Sequence, residues 1–330
     1  MRPRCVAVVV TVLGIGLAGC ASSDPDEQAA RQGDTSSSAE APSPAVTSAP
    51  PPEGLRVEVG DGPCGIQEAD GVIWVTLFNE DSVVRLDAAT GDVLGTTAGT
   101  GSQPCGVAVG GGSLWTADYA GGGTSRIDLE TGKVTAFVPT GGGVYDVAFA
   151  KGAAWVTNQG SATVSRVDAR TNEVTDISVG ISPGGIAWSA GFLWVANAAE
   201  GTVSKIDPDS RKVVDTLDVG GAPVWTAFDD DTVFLSDPKG GQTVTRIDTR
   251  AGDVTGRTKV GGRPVDGDTA PDGSAWIPDL DGRLLHLAAD GDLLGAWKID
   301  VTGPFVLDVS GDTVWVAEWK GRDVVRYDVG

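Results

Sequence analysis

Apolar and polar positions alternate in short bursts from about residue 55 to the end of the chain. In the stretch from Val144 to Gly180, "VYDVAFA", "AAWVTN", "TVSRVD" and "EVTDISVG" each read as a half-buried strand bounded by Gly, Asn or Asp. The same four-strand phrase returns throughout. Aligned on one aromatic, it recurs at Trp74, Trp115, Trp155, Trp194, Phe234, Trp276 and Trp315, at intervals of 41, 40, 39, 40, 42 and 39 residues. A second mark keeps the same period: the Asp that ends "RLD", "RID", "RVD" or "KID" falls at Asp87, Asp128, Asp168, Asp207, Asp248 and Asp328, with Ala288 in the remaining slot. A repeat of about 40 residues made of strands predicts an all-β fold, a seven-bladed β-propeller with four-stranded blades a to d.

Both marks have a structural reason. The Asp opens the turn from strand c to strand d, where its carboxylate can accept backbone N–H groups and a Gly or Asn can take positive φ. The aromatic on strand b fills the wedge between blades. The last phrase stops after its strand c, "VVRYDVG", whereas "LRVEVG", Leu55 to Gly60, stands ahead of the first phrase and matches a strand d. This N-terminal strand is therefore expected to complete the blade that begins near Pro304 and to close the ring.

Composition agrees with this reading. Forty-eight glycines, one methionine and ten tryptophans disfavour a helical bundle. The formal net charge of -21 excludes the basic footprint of nucleic-acid binding.

The first 53 residues differ from the rest. Arg2 and Arg4 precede an apolar run from Val6 to Leu17, too short to span a bilayer and laid out as an export signal. "LAGC", Leu17 to Cys20, resembles the lipobox of bacterial lipoproteins, which implies a signal peptide over 1–19 and a lipid on Cys20. Residues 20–53, rich in Ser, Ala and Pro, read as a disordered tether, leaving 54–330 for the propeller. Cleavage removes two arginines, and 22 basic against 45 acidic residues give -23. So acidic a surface leaves the lipid as the expected membrane attachment, on the extracytoplasmic side.

"WVTN", "WVAN" and "TVSRID"-like strands resemble the YVTN-repeat propellers. With "PxGIA", "GxLWVA" and "RIDxxTG", the region from Gly54 to Gly330 is similar to the streptogramin B lyase (virginiamycin B lyase) superfamily. That resemblance implies the fold. For the lyases themselves it further implies Mg²⁺, a histidine base and acidic residues on one face. The single histidine, His286, stands in the strand c slot held elsewhere by Arg85, Arg126, Arg166, Lys205, Arg246 and Arg326, away from the channel. No catalytic residue is carried over.

Binding residues are expected on the face where the d-to-a and b-to-c connections emerge. One ring is the pair after the proline slot: Cys64-Gly65, Cys105-Gly106, Tyr145-Asp146, Gly184-Gly185, Val224-Trp225, Val265-Asp266 and Phe305-Val306. A second lies three residues beyond the blade aromatic: Leu77, Asp118, Asn158, Asn197, Asp237, Asp279 and Glu318, with Trp319 beside it. The ligand-binding candidates are Tyr145, Asp146, Trp225, Asp266, Phe305, Asp118, Asp279 and Glu318. They suit a cationic or sugar-like ligand, a basic peptide, or a hard divalent ion such as Mg or Ca. The plain alternative is that second-ring residues cap turns and bulky first-ring residues plug the channel. Cys64 and Cys105 share one slot of adjacent blades and are a candidate disulfide, or else free thiols. Three functions follow as expectations: a monomeric, non-catalytic binder of a small ligand or envelope protein; a metal-dependent lyase or lactone hydrolase; and a scaffold for envelope assembly.

Overall fold

In the computed structural model the four-strand phrase folds seven times into an antiparallel sheet, each sheet one blade of a propeller. The structure describes residues 54–239 and 241–329, without the side chains of Trp225 and Thr226. The export signal, Cys20 and the tether lie outside the described residues. The third blade is representative: Val144–Ala150, Ala153–Asn158, Thr163–Asp168 and Val174–Ser178 pair in that order from the channel outward. The seventh consists of Pro304–Ser310, Thr313–Glu318, Asp323–Asp328 and, as its strand d, Leu55–Glu58. Leu55 pairs with Arg326 and Glu58 with Asp323, so the N-terminal strand closes the ring as the pattern predicts. Arg56 secures that strand, reaching Glu318 at 3.1 Å and Asp323 at 2.8 Å.

The core lies between blades. Trp155 packs with Ile186, Leu193 and Ile206 of the fourth blade, Trp276 with Val314, Val316 and Val325 of the seventh, and Trp315 with Ile66, Ile73 and Val75 of the first. The wedge role therefore holds, and the indole N–H groups of Trp115, Trp155 and Trp194 donate to the last carbonyl of their own strand a. The c-to-d turns follow the expected chemistry. Asp168 accepts from the N–H groups of Arg170 and Thr171, which lower its pKa to about 2, and Asn172 takes a φ of 60°.

The strand c bases have a role that periodicity does not reveal. Each lies beside the blade aromatic, with the Arg126 guanidinium 5.1 Å from the Trp115 ring centre and Lys205 Nζ 4.8 Å from that of Trp194. Arg126 then donates to Ala169 O in the third blade's c-to-d turn, and Arg326 to Ala89 O in the first blade's turn at 2.6 Å. Neighbouring blades are thus tied along the face opposite the binding candidates.

Candidate functional site

In blades one, two, three, four and seven the pair after the proline slot is a β-bulge. Pro63 pairs with Leu77 but Ile66 with Val75, and the same one-residue slip separates Pro104 from Val107, Val144 from Val147, Pro183 from Ile186 and Pro304 from Leu307. A bulge leaves a residue without a ladder partner and redirects its side chain. That is why Tyr145 and Phe305 differ in setting from their flanking strand residues. The bulges also press against their neighbours: a Cβ at Gly65 would run into the Cys105 carbonyl. Thr76 Oγ1 accepts from Gly65 N at 2.7 Å and donates to Cys105 O at 2.9 Å, and Thr157 links Asp146 N to Gly184 O in the same way. Cys64 and Cys105 are joined by a disulfide across the first two blades, with Cα atoms 4.9 Å apart.

A second repeated contact sets the rim. The residue four positions beyond the blade aromatic donates its N–H to the carbonyl just before the proline slot: Phe78 to Gly62 at 2.9 Å, Tyr119 to Gln103 at 3.0 Å, Gln159 to Gly143 at 2.9 Å and Trp319 to Gly303 at 3.2 Å. This brings the b-to-c and d-to-a connections together. In blades seven, one and two that position is aromatic, and the rings meet. Phe78 stands edge-on to Trp319, centroids 4.8 Å apart at 71°, and lies 6.4 Å from Tyr119; Phe305 lies 5.2 Å from Trp319. Phe78 is buried between its neighbours, whereas Tyr119, Phe305 and Trp319 are each half-buried. The arc continues electrostatically. Burial lifts the Tyr145 phenol well above its ordinary value, reinforced by the nearby groups Asp266, Asp146 and Tyr119. Asp266, Asp146 and Tyr119 therefore lie near Tyr145, Phe305 lies against Trp319, and the Trp225 side chain lies outside what is described.

The carboxylates at this face are largely engaged within the fold. Asp146 accepts from Val147 N at 2.8 Å and, across the blade boundary, from Ile186 N at 3.0 Å. Burial nevertheless raises its pKa to about 6. Asp118 is buried and accepts from Thr116 and Ser125 hydroxyls at 2.7 and 2.6 Å, and burial raises it too to about 6. Asp279 caps Arg263 N and Asp281 N and pairs with Arg283. Glu318 accepts from Thr302 N at 2.7 Å and pairs with Arg56. In the same slot Asn158 and Asn197 each donate to a strand c serine, Ser165 and Ser204, at 2.9 Å. Second-ring residues therefore act in the structure as internal caps. Among the described residues no group of three or more His, Cys, Asp and Glu side chains is arranged to hold a metal.

Sequence reasoning named Trp319 but missed Phe78 and Tyr119. Their signal was present, an aromatic four places after the blade aromatic in three blades that are consecutive once the ring closes. A second set was also missed. The strand a residue opposite the blade aromatic is Ala108, Ala148, Ala187 or Ala227 in four blades but Gln67, Asp268 and Asp308 in the others.

No protein-family model matches the chain, and no curated protein matches it. Solved structures do. A streptogramin B lyase aligns with a TM-score of 0.74 at 16% identity, covering 84% of this chain and 97% of that one. Virginiamycin B lyase from Staphylococcus aureus gives 0.73 at 16%, covering 84% and 100%, and Kuenenia stuttgartiensis hydrazine synthase gives 0.72 at 19%, covering 83% and 98%. At these identities what the chain shares with the streptogramin B lyases, and with the other structures, is the β-propeller fold.

Proposed function

We propose that this chain is a monomeric, non-catalytic binding propeller held outside the cytoplasm by a lipid on Cys20, and that its ligand rests on the aromatic arc at the channel mouth. The observation that carries the reading is the contact series Phe305, Trp319, Phe78, Tyr119, contributed by three consecutive blades at one face. Rings joined in this way offer broad, pre-ordered apolar surface at little entropic cost, suited to the C–H face of a sugar or to an alkylammonium group. The nearby carboxylates are engaged in caps and blade bridges, so they supply negative potential in preference to direct ligation.

The test is a thermal-shift and intrinsic-fluorescence titration of the full chain with N-acetylglucosamine oligomers and with tetramethylammonium. Saturable stabilisation that weakens at least about tenfold in Trp319→Ala, consistent with loss of one stacked ring, supports the reading. Absence of any saturable response to either class speaks against it. The lyase structures favour a second reading, metal-dependent opening of a cyclic depsipeptide, which turnover of such a substrate in the presence of Mg²⁺ would establish. His286 has no part in it, being stacked on Trp276 within the sixth blade.

A further inference from the structure

The polar residues that replace alanine on the inner strands lie on consecutive blades, the sixth, seventh and first, and span the blade that the N-terminal strand closes. Asp268 accepts from Thr269 N at 2.8 Å and, across the blade boundary, from Val309 N at 3.0 Å, which places its carboxyl against the residue following Asp308. Asp308 accepts from Gln67 Nε2 of the first blade at 3.0 Å through Oδ1. Its other oxygen, Oδ2, is buried without a hydrogen-bond partner, and Asp308 as a whole is 3% exposed.

A charged carboxylate left in that setting is costly, because burial removes water and nothing replaces it. The groups facing it do not help. Asp268 on the sixth blade and Glu68 on the first are both acidic, Gln67 is neutral, and among the described residues no basic side chain bonds to either aspartate. The Glu68 N–H favours the charged form, but burial and the Asp268 charge outweigh it. Protonation resolves the conflict, since a neutral carboxyl carries no charge to desolvate. We propose that Asp308, set beside the Asp268 carboxyl, holds a proton at neutral pH, and that its loss loosens the seam joining the sixth, seventh and first blades.

Burial, reinforced for Asp308 by the Asp268 charge, raises both carboxyls above their ordinary value. The folded chain therefore binds a proton that the unfolded chain releases, and stability falls as pH rises from the ordinary carboxylate range through the higher folded range. Asp118 and Asp146 titrate near 6 with the same sign, so the assay must separate them from the pair.

Two measurements on the full chain do so. Infrared spectroscopy in D2O at pH 7.5, above the range of Asp118 and Asp146, should retain the carbonyl band of a protonated carboxyl, and its absence from the wild-type protein overturns the proposal. Asp308→Asn mimics the protonated form, so it should abolish that band and flatten the fall in melting temperature between pH 5 and 8. A folded variant that keeps both the band and the wild-type slope overturns the proposal as well. Should that variant not fold, the wild-type band at pH 7.5 decides alone.

Discussion

Trp276 and His286 stack face to face, their ring centres 4.0 Å apart and their planes 6° from parallel, with Trp297 5.4 Å from Trp276 on the same blade. The two residues are directly opposite on strands b and c, the register that elsewhere pairs a tryptophan with Arg or Lys. In blades two and seven that base extends into the c-to-d turn of the next blade. The seventh blade takes its strand d from Leu55–Glu58, so it has no such turn to receive a base from the sixth. A shorter cationic or neutral aromatic that stays on its own tryptophan fits that vacancy, which accounts for the one histidine without chemistry.

His286→Phe should keep the stack and hold stability within about 1 kcal/mol, whereas His286→Ala should cost about 1–2 kcal/mol. Burial lowers the His286 pKa, so the neutral imidazole is favoured in the fold. Its contribution is therefore present above the unfolded value and lost as pH falls through the lower folded one. Urea melts at pH 5 and pH 8 should show this acid-side loss in the wild type relative to His286→Phe.

Removing Leu55–Gly60 should destabilise all seven blades together. The deletion exposes the strand c edge of the seventh blade and takes Val57 and Val59 from the cluster around Trp315, a loss of about 3–6 kcal/mol at ordinary burial values. Calorimetry should give one transition at a markedly lower temperature. A melt superimposable on that of the full chain would contradict closure.

The Cys64–Cys105 bond encloses a sequence separation of 41 residues. Chain-entropy reasoning gives it up to about 4 kcal/mol, with less expected because ring closure already restrains both strands. Thiol titration of denatured, unreduced protein should detect neither cysteine. Reductant, or Cys105→Ser with Cys64→Ser, should lower the melting temperature without opening the ring.

Asp118→Asn should stabilise the protein above pH 6. Asn158 and Asn197 already fill the equivalent slots with equivalent serine bonds, so the amide fits. Asp118 is held near 6 by burial, and its charging therefore costs stability as pH rises from about 4 to about 6. The gain at pH 8 is up to about 3 kcal/mol. Equal stability of variant and wild type at pH 8 would show that the carboxylate is solvated.

Period and patterning fixed the fold. Seven aromatics and the recurring Asp at one spacing require identical sheets, and "LRVEVG" ahead of the first repeat required a closing strand, because alternation and turn chemistry are local properties written in each segment. The site was only partly legible. Tyr145, Phe305 and Trp319 were named as candidates by register, yet the contact of Phe78 with Trp319 exists only where closure sets the seventh blade beside the first. Asp118, Asp279 and Glu318 read in sequence either as ligand-binding carboxylates or as turn caps, and the fold surrounds each with donors from its own loops or from a neighbouring strand. Whether a polar side chain faces solvent or the protein is decided by what the ring brings against it. Asp308 is the extreme case: residues nearly a whole chain apart leave one of its oxygens buried and alone.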